Sequence, residues 1–304
     1  MGRSQKRLRE DLRFVGEFRT LCDVMQQAAV SQLVRSDGIV AGAPRVLQFL
    51  ARECLPMLPA SAASHPLLRR GQPPFDQKGG RPLLPGDRRT IVLMTSDDGL
   101  VGPLHTLTAR RAMSLAGPNA SWVLVGQRAA RLVGGSLQRV RQMPWPSDDT
   151  AETKWRRLAE ILLDEYRRGV MTEAVLVAPR YLSRTRQEPA VYPLLPLPAE
   201  GLGSALRPGE SLIVEPSLDQ VVEALALMWM TASGLEAQAL AHRAEHAARI
   251  LHMERARDEL ATSAKQLRYD LFKTMHTRVD VMVRETCVVQ RLAEARRRAA
   301  KAAG

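Results

Sequence analysis

The chain has 304 residues and a net charge of +12, and its composition is 45% hydrophobic but only 4% aromatic. This size and apolar content allow one large globular domain or two ordinary ones, and the abundance of Ala, Leu and Arg favours long helices. A membrane-spanning protein is excluded, because the most apolar run, residues 224–230, is far shorter than the roughly 18 to 20 residues that cross a bilayer. Three widely spaced cysteines fit neither a disulfide framework nor a Cys-x-x-Cys metal site, so we expect a reducing compartment; the N-terminus predicts no cleaved targeting segment.

The first predicted element is a helix over residues 4–36, whose apolar residues recur at spacings of four and three, as in a coiled-coil seam. Two glycines and Pro44 interrupt this pattern, and Pro44 is suited to begin a second helical piece. We therefore predict an N-terminal coiled-coil segment over residues 1–55 with a kink near 38–44. The predicted seam consists of Phe14, Phe18, Leu21, Met25 and Ala28, extended toward the N-terminus by Leu8, Leu12 and Val15.

A loop or linker is predicted over residues 56–88, which are rich in Pro, Gly and Arg and have no periodicity. An α/β domain is predicted over 89–216, where short apolar runs alternate with helical patterns; this alternation indicates a parallel sheet with right-handed crossovers. Prolines confine a further extended run at 190–198 to a sheet edge, and another such run covers 211–216. The predicted strands are residues 89–96, 120–126 and 172–180, and the predicted helices are 103–116 and 151–168.

The last predicted element, residues 217–304, is one very long helix or two helices, with a basic tail and with Ser217 as the N-cap. A helix of about 70 residues would be roughly 100 Å long, so the α/β domain alone cannot bury its apolar stripe. We expect it to pair with the N-terminal helix, which gives a Rossmann-like α/β domain inserted between the N- and C-terminal helices of a long antiparallel coiled coil. Its recurring apolar positions are Leu240, Ala244, Ala247, Leu251, Leu260, Ala264, Leu267, Leu271, Val279, Met282 and Val289.

Five motifs follow one another along the chain. They are Arg9, Leu12 and Val15 with VMQQAAVSQL (24–33); TSDDGLVGPL (95–104); LLPLP (194–198); Glu215 with Pro216; and Glu245, Ala247, Ala248 and Arg249 with Met253. Their order and spacing resemble the gamma subunit of F-type ATP synthases over nearly the whole chain. Each motif alone is weakly specific, but five in the right order are a strong signal.

The sequence departs from the family pattern in ways that indicate a divergent member, such as one from an alternative ATPase operon. Ala244 replaces a usual Ser, while Asp98 and Pro103 replace a usual Arg and Gly. Thr20 and Cys22 stand where the family has Lys and Thr. The family's Tyr-Asn-Lys-Ala-Arg-Gln motif falls on LFKTMH (271–276) without gaps, or on YDLFKT (269–274) with a shift of two, and its Arg-Gln pair is lost in both registers. That loss puts the family's polar contact with the catalytic subunits in doubt.

The resemblance implies a non-catalytic rotor subunit that needs no cofactor. Its terminal helices would form an axle inside a hexamer of alternating alpha and beta subunits, and the α/β domain would lie on an epsilon subunit and the membrane ring of c subunits. The complex would lie at the cytoplasmic face of a bacterial inner membrane, with this chain bound peripherally. The resemblance further implies hexamer or coupling contacts at Arg9, Met25, Glu245, Arg249 and Glu285, with Arg9 and Arg249 facing acidic loops and Met25 either a bearing or a seam residue.

One alternative is a zinc protease, because His242, Glu245 and His246 form His-x-x-Glu-His on one helix face. A third ligand is missing: Glu285 would lie about 58 Å further along the same helix. Glu215 or Asp219 would reach the histidines only if the helix broke near Gly234. The family motif already accounts for Glu245, which makes this alternative weak.

A second alternative is a nucleic-acid-binding helical protein, since the excess of basic residues predicts an acidic partner. The scarcity of aromatic residues provides no stacking platform for bases. The turn SDDGLVGPLHT (96–106) contains Gly-x-x-Gly but lacks the third glycine of a dinucleotide fingerprint, which indicates a tight strand-to-helix turn instead. The basic clusters are Arg131, Arg139, Arg141, Arg296, Arg297, Arg298 and Lys301.

Overall fold

The computed structural model describes residues 5–36, 42–69, 88–97, 99–133, 137, 139–198, 202–205 and 213–302. The chain divides into two compact units. The helix-pair unit contains Met1–Gln27 and Met253–Gly304, and the sheet unit contains Ala28–His252. Each unit is described by itself below.

Helix α1 spans Gln5–Ser36, as the sequence predicts, but its buried face differs from the predicted seam. Phe14, Phe18 and Leu21 are 64%, 43% and 49% exposed, so their assignment to the seam is wrong. The buried or half-buried row repeats every seven residues. It keeps Leu8 and Val15 of the predicted seam, but Cys22 and Ala29 take the places predicted for Leu21 and Ala28, one position earlier. Small side chains in this row allow a close approach between helices, whereas the rings of Phe14 and Phe18 stack on each other on the open face. The row consists of Leu8, Val15, Cys22, Ala29 and Ser36.

Helix α7 spans Leu218–Ala302 as one uninterrupted helix of 85 residues. Ser217 caps its N-terminus, because the Ser217 Oγ accepts a hydrogen bond from the Gln220 N–H at 3.3 Å. In the helix-pair unit the predicted seam of α7 is confirmed as a buried or half-buried row of Leu260, Ala264, Leu267 and Leu271. Val279, Met282 and Val289 continue the sequence pattern but are exposed.

The two helices of the helix-pair unit run antiparallel, as predicted. Gln26 donates a hydrogen bond to Glu254 at 3.0 Å, Asp23 and Arg257 form an ion pair at 3.7 Å, and Arg278 reaches Gln5 at 3.5 Å. As the position on α1 moves toward the N-terminus, its partner on α7 moves toward the C-terminus. Because α1 begins at Gln5, the described part of α1 provides no partner for α7 beyond Arg278, which explains why the last apolar positions of α7 are exposed.

The sheet unit contains a five-stranded sheet in the order β4-β3-β2-β5-β6. The first four strands in this order are parallel to one another, as the alternation of strands and helices predicts, and β6 is antiparallel to β5 at the edge. The strands are β2 Arg89–Met94, β3 Ser121–Val125, β4 Val140–Met143, β5 Glu173–Tyr181 and β6 Gln187–Leu195. A separate parallel pair joins β1 Leu68–Arg69 to β7 Leu197–Pro198.

Helices cover both faces of this sheet, so alternate residues of each central strand are buried on opposite faces. Val92 and Met94 of β2 face the α6–α7 layer, and Ile91 and Leu93 face the α4–α5 layer. The helices of the unit, besides parts of α1 and α7, are α2 Gly42–Phe49, α3 Leu55–Met57, α4 Leu104–Leu115, α5 Gln127–Val133 and α6 Ala151–Arg167, with a π-helical turn at Leu50–Cys54 and 3₁₀ turns at Ala60–Ser64 and Asp148–Thr150.

The remaining sequence predictions have mixed outcomes. The edge position of the proline-containing run at 190–198 is confirmed, since β6 is the edge strand. Residues 213–216 of the run at 211–216 do not form a strand, and its first two residues lie outside the described part. The predicted kink lies mostly at residues 37–41, which are also outside it, as are residues 70–87 of the predicted linker.

A glycine sets the distance between α7 and α6 in the sheet unit. A Cβ atom on Gly234 would lie 2.4 Å from Cδ2 and Cε3 of the Trp155 ring. The Trp155 ring is buried and its Nε1–H donates to Gln238 Oε1 at 2.7 Å, so the ring cannot move aside easily. No larger side chain fits at this contact without displacing one helix.

We therefore expect Gly234→Ala to lower the free energy of unfolding by about 1–3 kcal/mol, because overpacking outweighs the higher helix propensity of alanine. Gly16→Ala is the matched control in α1, since a Cβ atom at this position would have no described atom within 4 Å. The control should raise the free energy of unfolding by about 0.5–1 kcal/mol. Urea denaturation followed by circular dichroism measures both; a Gly234→Ala variant as stable as the control would contradict the packing argument.

Candidate functional site

The candidate site lies where the turn after β2 meets α7, within the sheet unit. The β2–α4 turn comprises residues 95–97 and 99–103. Asp97 anchors one side of it: the Asp97 Oδ1 accepts a hydrogen bond from the N–H of Gln127, the first residue of α5, at 2.5 Å. A carboxylate of the chain therefore binds the helix N-terminus at which phosphate groups are held in many α/β proteins.

The turn itself is conformationally strained. Gly102 has φ of +60°, which glycine adopts readily, and Leu100 has φ of +64°, which is rare for a residue with a side chain. The sequence-based interpretation that the glycines serve a tight turn is thus confirmed at Gly102. The strained backbone at Leu100 needs support from neighbouring contacts.

Helix α7 supplies that support through an arginine and two alanines. The Arg249 Nε–H donates to the Gly99 carbonyl oxygen at 3.3 Å. Val101 and Leu104, on either side of the turn's end, pack against Ala244 and Ala248 of α7 in one buried cluster. The small alanine side chains allow the turn to lie close to the helix, so the second and fifth motifs of the family pattern are in direct contact.

A buried polar group lies beneath this contact. Ser96 Oγ and His105 Nε2 share a hydrogen bond at 3.2 Å, and Glu245 Oε1 lies 3.9 Å from the same His105 nitrogen. All three side chains are buried. A Ser-His-acid triad requires the carboxylate on the opposite ring nitrogen from the serine, so this arrangement does not activate Ser96 as a nucleophile. It instead joins β2, α4 and α7.

The end of β5 completes the contact. Tyr181 packs against two buried clusters, one between α7 and the turn and one between α7 and α1. The guanidinium carbon of Arg243 lies 4.5 Å from the centre of the Tyr181 ring, a cation–π contact. Strands β2 and β5 are neighbours in the sheet, but β2 continues to β3 on one side and β5 continues to β6 on the other. Open α/β sheets bind ligands at the carboxyl ends of two such strands. Here α7 covers that position.

The histidines of the His-x-x-Glu-His motif do not assemble a protease site. Trp145 Nε1–H donates to His242 Nε2 at 3.2 Å, and Arg249 contacts His246 Nδ1 at 3.3 Å, whereas Glu245 faces His105. Among the residues that the structure describes, no group of three or more His, Cys, Asp or Glu side chains is arranged to hold a metal ion. The zinc-protease alternative therefore has no support in the geometry.

The five predicted contact residues differ in accessibility. Arg9 and Glu285 are exposed, and Met25 is half-buried. Glu245 and Arg249 are only 2% and 7% exposed and belong to the contact with the β2–α4 turn. The structure thus brings together two of the five, and the roles of all five toward other subunits stay predictions.

Sequence reasoning missed three residues of this site. Ser96 and His105 lie at the end of a strand and the start of a helix, where a polar residue is ordinarily solvated, yet both side chains are buried here. Tyr181 ends a strand and gives no local signal of its two packing partners. Alanines at 244 and 248, four apart on one helix face, were the available signal that another element approaches closely.

A titratable group lies between α7 and the β5–β6 pair. Burial raises the pKa of Glu236 above its ordinary value, and the nearby Arg180 guanidinium opposes this only in part. Burial and the neighbouring Glu236 also raise the pKa of Tyr192. The Glu236 carboxylate is therefore a charge that the folded sheet unit accommodates poorly.

Sequence comparison with known proteins supports the family resemblance that the five motifs indicate. The sequence profile of the family described as ATP synthase matches residues 4–274. The chain is 26% identical over 190 residues to the ATP synthase gamma chain of Methylococcus capsulatus, a match that covers 60% of this chain and 66% of that one. It is 27% identical over 230 residues to the ATP synthase gamma chain of Clavibacter michiganensis, covering 68% of this chain and 71% of that one. The chain thus spans about two thirds of the length of the curated relatives it matches.

A solved structure shares the fold. A chain in the Euglena gracilis mitochondrial ATP synthase, from the structure of its OSCP, F1 and c-ring in rotational state 3, aligns with a TM-score of 0.64 at 15% identity. The alignment covers 96% of this chain and 95% of that chain. Within the described part of the chain, none of the helices contains an apolar stretch of the length needed to span a lipid bilayer.

The Arg249 contact predicts a local change in dynamics. Arg249→Ala removes the charged donor to the Gly99 carbonyl, so backbone amides over residues 99–104 should exchange with solvent about tenfold faster or more. Hydrogen–deuterium exchange measured by mass spectrometry detects this. Arg255→Ala, at an exposed position on the same helix, is the control and should leave those amides unchanged; equal exchange in both variants would show that Arg249 does not hold the turn.

Glu236 predicts a pH-dependent stability. A carboxyl group whose pKa is higher in the folded state stabilises the fold when protonated, and this contribution is lost as pH rises through the folded pKa. We therefore expect Glu236→Gln to be more stable than the natural chain at pH 7, with the difference disappearing near pH 4. Thermal unfolding at both pH values measures the effect, and Glu259→Gln, at an exposed position of α7, should change neither value.

Proposed function

Because the chain belongs to the ATP synthase gamma-chain family, we propose that it is the central-stalk rotor subunit of a rotary F-type ATP synthase. In this role it couples ion flow through a membrane ring to ATP synthesis or hydrolysis in a hexamer of alternating alpha and beta subunits. The observation that carries the proposal is the antiparallel helix pair, in which contacts from Gln26–Glu254 to Gln5–Arg278 hold the two chain ends together.

The helix pair has the properties of a shaft that transmits torque. Its seam is continuous from Met253 to Thr274 on α7, with heptad spacing, so twisting one helix against the other would disrupt many packed side chains. An asymmetric shaft inside the hexamer contacts each catalytic site differently, and its angle therefore selects which site binds nucleotide weakly or tightly. The shaft itself performs no chemistry.

The exposed residues of the helix pair are candidates for contact with the hexamer. Arg9 is a charged group suited to acidic loops, and Glu285 lies on the part of α7 beyond Arg278. Met25, half-buried, serves as a bearing or seam residue. The same end of α7 exposes several apolar side chains that are suited to contact with another subunit, and Val279, Met282 and Val289 are among them.

Glu245 and Arg249 contribute to coupling in a different way. Both are buried against the β2–α4 turn, so within this chain they fix α7 to the sheet. We assign them the role of holding the sheet unit's portion of α7 in place, so that the helix cannot slide or rotate against the sheet under load. Further partners of the sheet unit are an epsilon subunit and the ring of c subunits, which would keep the chain peripheral at the cytoplasmic face of a bacterial inner membrane.

The shaft role predicts the effect of a helix-breaking substitution. Leu267→Pro, at a buried seam position, should disrupt α7 at a cost of about 3 kcal/mol or more and uncouple ATP hydrolysis from ion pumping. Leu267→Met keeps the volume and the helix, and should retain coupling. Both are measured as ATPase rate and ATP-driven ion gradient in a complex reconstituted with the alpha, beta, epsilon and ring subunits.

Two outcomes would overturn the assignment. The first is a Leu267→Pro complex that assembles and pumps at the normal ratio of ions to ATP. The second is a purified natural chain that fails to associate with alpha and beta subunits of the same organism under any nucleotide condition.

A further inference from the structure

One edge of the five-stranded sheet is open. At one end of the strand order, β6 contains Pro189 and Pro193, which have no backbone N–H to offer another strand. At the other end, β4 contains no proline and pairs with β3 alone among the strands that the structure describes. An exposed strand edge is where a chain in extended conformation can add to a sheet through main-chain hydrogen bonds.

The register with β3 shows which backbone groups of β4 face the open edge. The carbonyl oxygens of Arg139, just before β4, and Met143, its last residue, each accept a backbone hydrogen bond from the β3 side at 3.0 Å. Because the backbone groups of successive strand residues point in opposite directions, Val140 and Gln142 direct their N–H and C=O groups away from β3. Both residues are exposed. Their backbone donors and acceptors are therefore the groups that a further strand would use.

The side chains along this edge alternate between an apolar and a basic group. Val140 is in register with Trp122, whose side chain is buried in the α4–α5 layer, so Val140 lies on that face, and it is 41% exposed. Arg141 lies on the opposite face, where its guanidinium forms an ion pair with Glu165 of α6 at 2.8 Å. A guanidinium has several N–H donors, so Arg141 can bind a second carboxylate. An added strand that alternates apolar and acidic side chains would match both faces.

The charge around the open edge is positive. Residues 128–143 contain four arginines and no acidic residue. Arg139 is exposed and forms no ion pair with any residue that the structure describes. Its φ of +55° is a conformation that glycine or asparagine adopts at lower cost, so the backbone alone does not account for an arginine there. Two copies of this edge would repel each other, whereas an acidic strand would be attracted.

We propose that the open edge of β4 binds an acidic protein segment in extended conformation, which adds to the sheet as a further strand. Val140 and Gln142 supply the main-chain hydrogen bonds, and Arg139 and Arg141 bind the carboxylates of the segment. A nucleic acid would match the positive charge, but it presents no ladder of backbone N–H and C=O groups, so the geometry favours a protein. The inference goes beyond the rotor role, because none of these residues is a predicted contact with the hexamer.

The test is a titration of the purified full-length chain with a short capped peptide that alternates glutamate and valine, at constant ionic strength. Isothermal titration calorimetry measures the affinity, and hydrogen–deuterium exchange shows where the peptide lies. We expect saturable binding and about tenfold or greater protection of the Val140 and Gln142 amides. Two control peptides should not bind: one with lysine in place of glutamate, which reverses the charge, and one with N-methylated backbone amides, which cannot pair as a strand.

Variants of the chain separate strand addition from attraction between charges alone. Gln142→Pro removes an N–H that faces the open edge and leaves the bonds to β3, so it should keep the thermal unfolding temperature and lose peptide binding. Arg139→Asn keeps a residue suited to the left-handed backbone but removes the charge, and should weaken binding about tenfold. Arg184→Gln removes an exposed arginine from the β5–β6 turn, beside the opposite edge strand, and should bind as the natural chain does.

The proposal is wrong if the glutamate–valine peptide does not saturate the chain, or if a folded Gln142→Pro variant binds it as tightly as the natural chain. Equal binding of the N-methylated peptide would show that no strand is added, even if Gln142→Pro failed to fold. Two other occupants would also contradict it. A single-stranded DNA oligonucleotide that binds more tightly than the peptide, and is weakened by Arg139→Asn, would identify a nucleic-acid surface. A natural chain that sediments as a dimer, while Gln142→Pro is monomeric, would identify a second copy.

Discussion

The structure depends above all on how closely α7 approaches the elements of the sheet unit. Gly234 leaves room for the ring of Trp155, and alanines further along the helix contact the sheet layer and the β2–α4 turn. Such small residues bury little apolar area each, but they let backbone and ring come within contact distance, where packing is dense. A side chain larger by one methyl group at Gly234 would clash with the Trp155 ring and force α7 and α6 apart.

The same helix uses a different surface chemistry in the helix-pair unit. There the seam consists mainly of leucines at heptad spacing, opposite a row on α1 that includes Cys22 and Leu8. Leucine seams resist separation and twisting through many dispersion contacts, which suits a shaft, whereas the alanine face fixes one element against another at short distance. One uninterrupted helix therefore carries two packing surfaces, a seam of larger side chains in the helix-pair unit and an alanine face in the sheet unit.

The sheet has the topology of a nucleotide-binding fold, yet its usual ligand position is closed. The carboxyl ends of β2 and β5 are covered by α7, and the N-terminus of α5 is bound by Asp97 of the chain itself. At this end of the sheet, groups of the chain itself thus occupy the usual ligand position.

The sequence by itself determined many of the elements and their order: the N-terminal helix, three of the four parallel strands, the edge strand with its prolines, and the seam from Leu260 to Leu271. It did not predict the short strand β4 or helix α5. These follow from local periodicity and proline chemistry, which act over a few residues. Only the tertiary structure decided the phase of the α1 seam, where Phe14 and Phe18 are exposed, and the burial of Ser96, His105, Glu245 and Arg249. Which face of a helix is buried depends on the shape of its partner, and residues more than a hundred positions apart, such as Gly99 and Arg249, leave no local signal of their contact.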